Sequence, residues 1–198
     1  MSGEAKPKLD GCEVLLCVSG GIACYKSAAL ASRLVQSGAG VTVAMTEAAT
    51  RFVTPLTFQT LTGRQVYSSM WQSAESFQAR HIALTELADL MVIAPATANL
   101  MAKLAAGIAD ELVPALALSA TGQCPILIAP AMNTRMWQAP ATQANLARLT
   151  DWGVHVVGPG EGYLACGAYG VGRMAEPEEI LNAAAKLLTQ KPPKKGGC

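Results

Sequence analysis

Residues 13–38, EVLLCVSGGIACYKSAALASRLVQSG, read as strand, glycine turn and helix. Val14, Leu15, Leu16, Cys17 and Val18 form an unbroken apolar run, the pattern of a parallel strand covered on both faces. Ser19-Gly20-Gly21 breaks the run, and glycines there let another group approach the backbone closely. Helix formers follow from Ile22, with Ala23, Leu30, Leu34 and other apolar residues recurring at helical spacing, and Gly38 supplies a stop. The first-turn N–H groups have no partners within such a helix, so this end suits a phosphate. SGGI is neither the full G-x-G-x-x-G pattern nor a Walker loop. Alone, it is compatible with a phosphate site and equally with a purely structural turn.

The same alternation continues along the chain. Strands are expected at 40–45, 65–68, 90–94 (closed by Pro95), 125–129 (closed by Pro130) and 154–157. Helices are expected at 47–52, 55–61 with Gly63 as its stop, 82–88, 99–106 stopped by Gly107, 112–120, 141–152, and from Pro177, where Glu178 and Glu179 favour the helix N-terminus. Residues 158–172 read as a glycine-rich loop. Alternating strands and helices predict an α/β fold, a doubly wound parallel sheet in a single domain. Residues 1–11 read as a flexible leader, 12–190 as the domain and the Lys/Pro/Gly-rich 191–198 as a disordered tail.

Composition narrows the function. Charged residues are 15% and hydrophobic ones 51% of 198 residues, and the net charge is +1. That balance gives no electrostatic reason to expect nucleic acid or a membrane surface, and it suggests buried subunit interfaces. The polar N-terminus lacks a signal-peptide core, and no apolar run is long enough to span a bilayer, which predicts a cytoplasmic protein. The six cysteines are scattered without a C-x-x-C pair or zinc spacing, so no metal site is expected. Cys17 and Cys24 read as packing residues.

Ligands in such folds sit beyond the carboxyl ends of the strands, which directs attention to three loops. Pro95-Ala96-Thr97-Ala98-Asn99 exposes backbone N–H groups and suits a flat polar ring or a sugar chain, or is an ordinary helix cap by Thr97 or Asn99. In Pro130-Ala131-Met132-Asn133, Asn133 either donates to a carboxylate or caps a helix, with Met136 and Trp137 as core. The third loop, around Ala165-Cys166-Gly167, is too glycine-rich for a packed element and reads as a mobile flap. Cys166 is there a candidate acid or nucleophile, or a chance loop cysteine. Of the two histidines, His81 precedes the helix leading into the 90–94 strand and is the better acid/base candidate; His155 reads as a strand residue.

Taken together, VSGGIA, TPLTFQTLTG, HIALTELAD, APATANLMAK, PAMNTRMW, and ACG followed by GVGRMAEP resemble, in this order, the flavin-dependent cysteine decarboxylase family. The resemblance runs from about residue 12 to 188, and the family includes phosphopantothenoylcysteine decarboxylases and lantibiotic peptide decarboxylases. It implies a Rossmann-like (flavodoxin-like) fold and a homotrimer, often assembled into dodecamers, with FMN between subunits. By motif it implies that Gly20, Gly21, Ile22 and Thr46 surround the FMN phosphate. Phe52, Pro95, Ala96, Thr97 and Ala98 would line the flavin, with Ala131 nearby. His81 would be the catalytic base, Cys166 the proton donor, Asn133 and Met132 the carboxylate site, and Ala165 and Gly167 the flap. The implied reaction converts 4′-phosphopantothenoylcysteine to 4′-phosphopantetheine for coenzyme A biosynthesis. The substrate is oxidised to a thioaldehyde, loses CO₂, and the enethiol is re-reduced. Two alternatives are oxidative decarboxylation of a peptide's C-terminal cysteine and a non-catalytic flavin-binding regulatory role; Cys166 and the lack of long acidic extensions speak against the second. The sequence departs from the coenzyme A pattern at Ala168, where Asp is frequent. It also lacks the synthetase domain that usually follows in bacteria, which predicts a stand-alone or shortened enzyme.

Overall fold

The computed structural model describes residues 7–71, 80–165, 167–190 and 194, with the backbone alone at Arg80 and His81. Five parallel pairings build one six-stranded sheet in the order β3-β2-β1-β4-β5-β6. The strands are β1 (Glu13–Val18), β2 (Gly40–Met45), β3 (Val66–Tyr67), β4 (Leu90–Ala96), β5 (Ile126–Pro130) and β6 (His155–Val156). The crossover helices are α1 (Cys24–Gln36), α2 (Glu47–Thr50), α3 (Pro55–Thr62), α4 (Arg80–Leu87), α5 (Ala98–Ala106), α6 (Leu112–Ala120), α7 (Thr134–Gln138) and α8 (Pro140–Asp151). A hairpin of β7 (Gly160–Tyr163) and β8 (Tyr169–Arg173) then precedes α9 (Pro177–Leu188).

The apolar runs are strands because both sheet faces are covered. In β1, Val14, Leu16 and Val18 pack into one core with Leu30 and Leu34 of α1, Phe58 of α3 and Ile180 of α9. Leu15 and Cys17 point into the other, with Leu100 and Met101 of α5 and Leu116 of α6. Each such side chain contributes about 1.5–3 kcal/mol by leaving water. The chain winds outward from β1 to β3, then restarts beside β1 at β4 and winds the other way. Their connections leave toward opposite faces, so a crevice opens at the carboxyl ends of β1 and β4.

Several expectations are corrected. The 158–172 segment holds an antiparallel ribbon pairing Glu161 with Val171 and Tyr163 with Tyr169. Its glycines conceal the strand pattern because they stand where neighbours come close: a Cβ at Gly170 would lie 2.6 Å from the Thr134 hydroxyl. Within the stretch read as a leader, Leu9 is buried and its N–H donates to the Ser37 carbonyl at 2.7 Å. β4 runs past Pro95: its register against β5 shifts between Ile93 and Ala96, so pairing resumes beyond the residue lacking an N–H. Of the expected tail, Lys194 alone is described; its N–H donates to Asp89. No helix among the described residues is long and apolar enough to cross a membrane.

Phe58 is the largest fully buried side chain. Phe58→Ala should cost about 3–5 kcal/mol, read as a lowered urea midpoint; a loss under about 1 kcal/mol would show that the α3 side of the core carries little stability.

Candidate active site

The crevice deepens into a cavity of about 760 Å³, within the roughly 300–1,000 Å³ of cofactor and substrate sites. Gly20, Gly21, Ile22 and Ala23 line one side. α1 begins after Ala23 with no side-chain cap and no acidic residue in its first turn. The Cys24 and Lys26 N–H groups turn back to the Gly21 and Ala23 carbonyls at 3.0 and 2.9 Å, so what this end presents to a ligand is chiefly its positive dipole end. Gly20 must be glycine, because a Cβ would stand 2.5 Å from Cβ and 2.7 Å from the carbonyl carbon of Ala48. Thr46 also lines the cavity and caps α2, its hydroxyl accepting from the Ala49 N–H at 3.2 Å.

The carboxyl end of β4 and the start of α5 add Pro95, Thr97 and Ala98. Thr97 caps α5, its hydroxyl accepting from the Leu100 N–H at 3.3 Å. Ser19, only 1% exposed, fastens the two turns together. Its hydroxyl donates to the Pro95 carbonyl at 2.7 Å and accepts from the Thr97 N–H at 3.2 Å.

The turn after β5 adds Ala131, Met132 and Asn133. Asn133 Oδ1 accepts from the Met136 N–H at 2.8 Å and caps α7. The cap uses the oxygen of the carboxamide, so its NH₂ remains as the donor for a ligand. Capping and carboxylate binding, alternatives in the sequence, thus use different atoms of one side chain. Met136 is partly exposed at the cavity and Trp137 packs against the core.

The hairpin closes the cavity with Leu164, Ala165, Arg173 and Met174. Gly172 rests on the β5 turn: the Met132 N–H donates to its carbonyl at 3.0 Å, and at φ 139° a Cβ would meet the Met132 oxygen at 2.2 Å. Lys26 of α1, with its side chain 6% exposed, donates to the Met174 carbonyl at 3.0 Å and to Glu176 at 2.9 Å. The Lys26 hydrogen bond is the main reason that the Glu176 carboxyl sits below its usual range. Their tie is therefore present above the ordinary carboxylate range and is lost only as pH falls through the lowered value.

Three expected residues stand apart from the wall. Ala96 is fully buried in the core beneath α5 and α6. Phe52 is 52% exposed on the turn after α2, and Gly167 is exposed on the β7–β8 connection. His81 belongs to the first turn of α4 rather than preceding it. A crossover helix runs antiparallel to its strands, so this turn lies toward the carboxyl edge. The His81 side chain and Cys166 lie outside the described residues. Cys17 and Cys24 are buried, and burial pushes both thiols up, so neither is a ready nucleophile. Among the described residues no His/Cys/Asp/Glu group is placed to hold a metal. His155 is exposed in β6. Sequence reasoning missed Ser19 as a fastener and Lys26 and Arg173 as wall residues; a lone lysine within the apolar helix 24–36 was the available signal.

The sequence family described as Flavoprotein matches residues 2–189. The chain belongs to the Flavoprotein family. It is 50% identical over 182 residues to the coenzyme A biosynthesis bifunctional protein CoaBC of Bacillus subtilis, covering 92% of this chain and 44% of that one. The Escherichia coli CoaBC is 46% identical over 176 residues, 89% and 43% of the two chains. The chain thus spans less than half the length of these relatives. Among solved structures, a cysteine-to-serine mutant of PPC decarboxylase complexed with pantothenoylaminoethenethiol superimposes with a TM-score of 0.82 and 32% identity, covering 91% of this chain and 99% of that one. The FMN-dependent cysteine decarboxylase SpaF gives a TM-score of 0.79 at 30% identity, covering 92% and 98%. The FMN-binding protein AtHal3 gives 0.79 at 32%, covering 95% and 100%. In this Flavoprotein member, Ser19→Ala should leave the Pro95 and Thr97 backbone groups without their buried partner. A loss of about 1–3 kcal/mol in urea unfolding is expected, with lower flavin content after purification; unchanged values for both would show that the two turns hold without the hydroxyl.

Proposed function

We propose that the chain is an FMN-dependent decarboxylase of 4′-phosphopantothenoylcysteine, yielding 4′-phosphopantetheine in cytoplasmic coenzyme A biosynthesis. The carrying observation is one cavity that joins an uncapped helix N-terminus to the Asn133 carboxamide at the β1/β4 crevice. The residues fit FMN: the Gly20–Gly21 turn would offer backbone N–H groups and α1 its positive dipole end to the phosphate, with Thr46 beside them. Small and apolar groups (Ile22, Pro95, Ala98, Ala131) leave a flat slot for the ring, and Thr97 adds a polar edge. Ala96 supports this wall from behind. Ile22, Tyr25, Phe52 and Leu56 are all more than half exposed, an apolar rim that suits a homotrimer interface and would bring Phe52 against a neighbouring subunit's cofactor.

FMN supplies a reversible two-electron acceptor, which removes the obstacle that a plain cysteine carboxylate has no electron sink next to it. The protein does the rest. The Asn133 amide donates to the substrate carboxylate, with Met132 packed beside it and Ala165 and Gly167 in the covering hairpin. His81 takes the proton released at the substrate's CH₂–SH group. After CO₂ leaves, Cys166 delivers a proton to the former α carbon.

Anaerobic incubation of the flavin-loaded protein with 4′-phosphopantothenoylcysteine should release CO₂ and give a product with the mass of 4′-phosphopantetheine. A protein inert to it but active on peptides ending in cysteine would belong with the peptide decarboxylases instead. Bound flavin with neither reaction would favour a regulatory role.

The proton-donor assignment has its own signature. Cys166→Ser should still release CO₂ but accumulate a product two mass units lighter, the enethiol; full conversion to the saturated thiol would remove Cys166 from that role.

A further inference from the structure

We infer that Arg173 recognises the terminal phosphate of the substrate and so makes this site select a phosphorylated acyl-cysteine over an uncharged one. The inference rests on the decarboxylase reading above. Lys26 and Arg173 share one carboxylate: Lys26 reaches Glu176 Oε1 at 2.9 Å and Arg173 Nη2 reaches the same atom at 2.8 Å. Two cations against one anion leave a net positive charge on this wall of the cavity. The other charged wall residue, Glu111, shares Lys103 with Asp110, at 2.7 and 2.9 Å, so the excess of positive charge is confined to the Arg173 side of the cavity.

The two cations differ in what they offer. Lys26 is buried and its ammonium is committed to Met174 and Glu176. Arg173 is 44% exposed and anchored to Glu176 through Nη2. The remaining edge of its planar, five-donor fork suits a phosphate. Gly162 of β7 gives the guanidinium its room, because a Cβ there would stand 3.0 Å from Arg173 Cδ and 3.1 Å from Nη1. The cofactor brings a single phosphate, which on the reading above goes to the Gly20–Gly21 turn and the dipole end of α1. A second cationic place on the same cavity calls for a second anion. The proposed substrate carries one at the end opposite its cysteine; a peptide ending in cysteine carries none there.

The test compares kcat/KM for 4′-phosphopantothenoylcysteine and for pantothenoylcysteine, together with FMN content of the purified holoenzyme. Arg173→Gln should lower the ratio of phosphorylated to unphosphorylated kcat/KM by about 10- to 100-fold, the size of a lost charge-assisted pair, through KM rather than kcat. Arg173→Lys should restore part of the ratio. Gly162→Ala, which displaces the guanidinium without removing it, should lower the ratio by a smaller factor. FMN content should match wild type in all three. Equal losses on both substrates, an unchanged ratio, or loss of FMN would overturn the inference, the last by placing Arg173 on the cofactor's phosphate. Wild-type protein that processes both substrates equally well would overturn this inference alone; wild-type protein that processes neither would overturn the decarboxylase reading and this inference with it.

Discussion

The Ser19 hydroxyl, donating to Pro95 and accepting from Thr97, bridges the one place where the sheet is not closed by its own connections. β1 and β4 are neighbours, yet the segments leaving them travel to opposite faces. Without a cross-link the two turns would be held only by the strands beneath them, and their buried backbone groups would lack partners at considerable cost. A second link nearby, from the Ser27 hydroxyl of α1 to the Ala94 carbonyl at 2.6 Å, ties the helix to the same strand end. These two bonds hold the N-terminus of α1 and the β4 turn in a fixed relation, so that the cavity walls are pre-shaped.

The second constraint is the burial of Lys26. A lysine deep beside an apolar core is tolerated only when its charge is met, and here a carboxylate and a carbonyl from the far end of the chain meet it. The same contacts pull the strand end of the hairpin across the cavity. α9 then begins from this anchored point: the Glu176 N–H donates to Glu179 Oε2 at 2.7 Å, part of a capping box. One ion pair therefore fixes a helix start, a cavity wall and the position of Arg173.

Much of the fold was legible in residue spacing. The doubly covered strands at Val14–Val18 and Leu90–Ala94 announced themselves because both faces must be apolar. Gly63 and Gly107 marked helix ends that the structure confirms with left-handed backbone at both. The hairpin was not legible, since its alternate positions are glycines selected by contact with Thr134 and Met132 rather than by strand propensity. Leu9 was hidden for a related reason: a single apolar residue in a polar leader has no periodicity, and its burial depends on the α1–β2 turn that it meets at Ser37.

The sequence by itself determined the β/α alternation, the parallel sheet and the loops that bear the candidate site, because periodicity and turn chemistry act over a few residues. The tertiary structure alone decided which loop residues share a wall, that Ala96 turns into the core while Pro95 and Thr97 face the cavity, and that Asn133 caps with its oxygen while keeping its amide. It also decided the pairing of Lys26 with Glu176 across 150 positions. No local pattern encodes that pair; it exists because the topology brings α1 and the start of α9 together, and a buried charge is stable only where such a partner arrives.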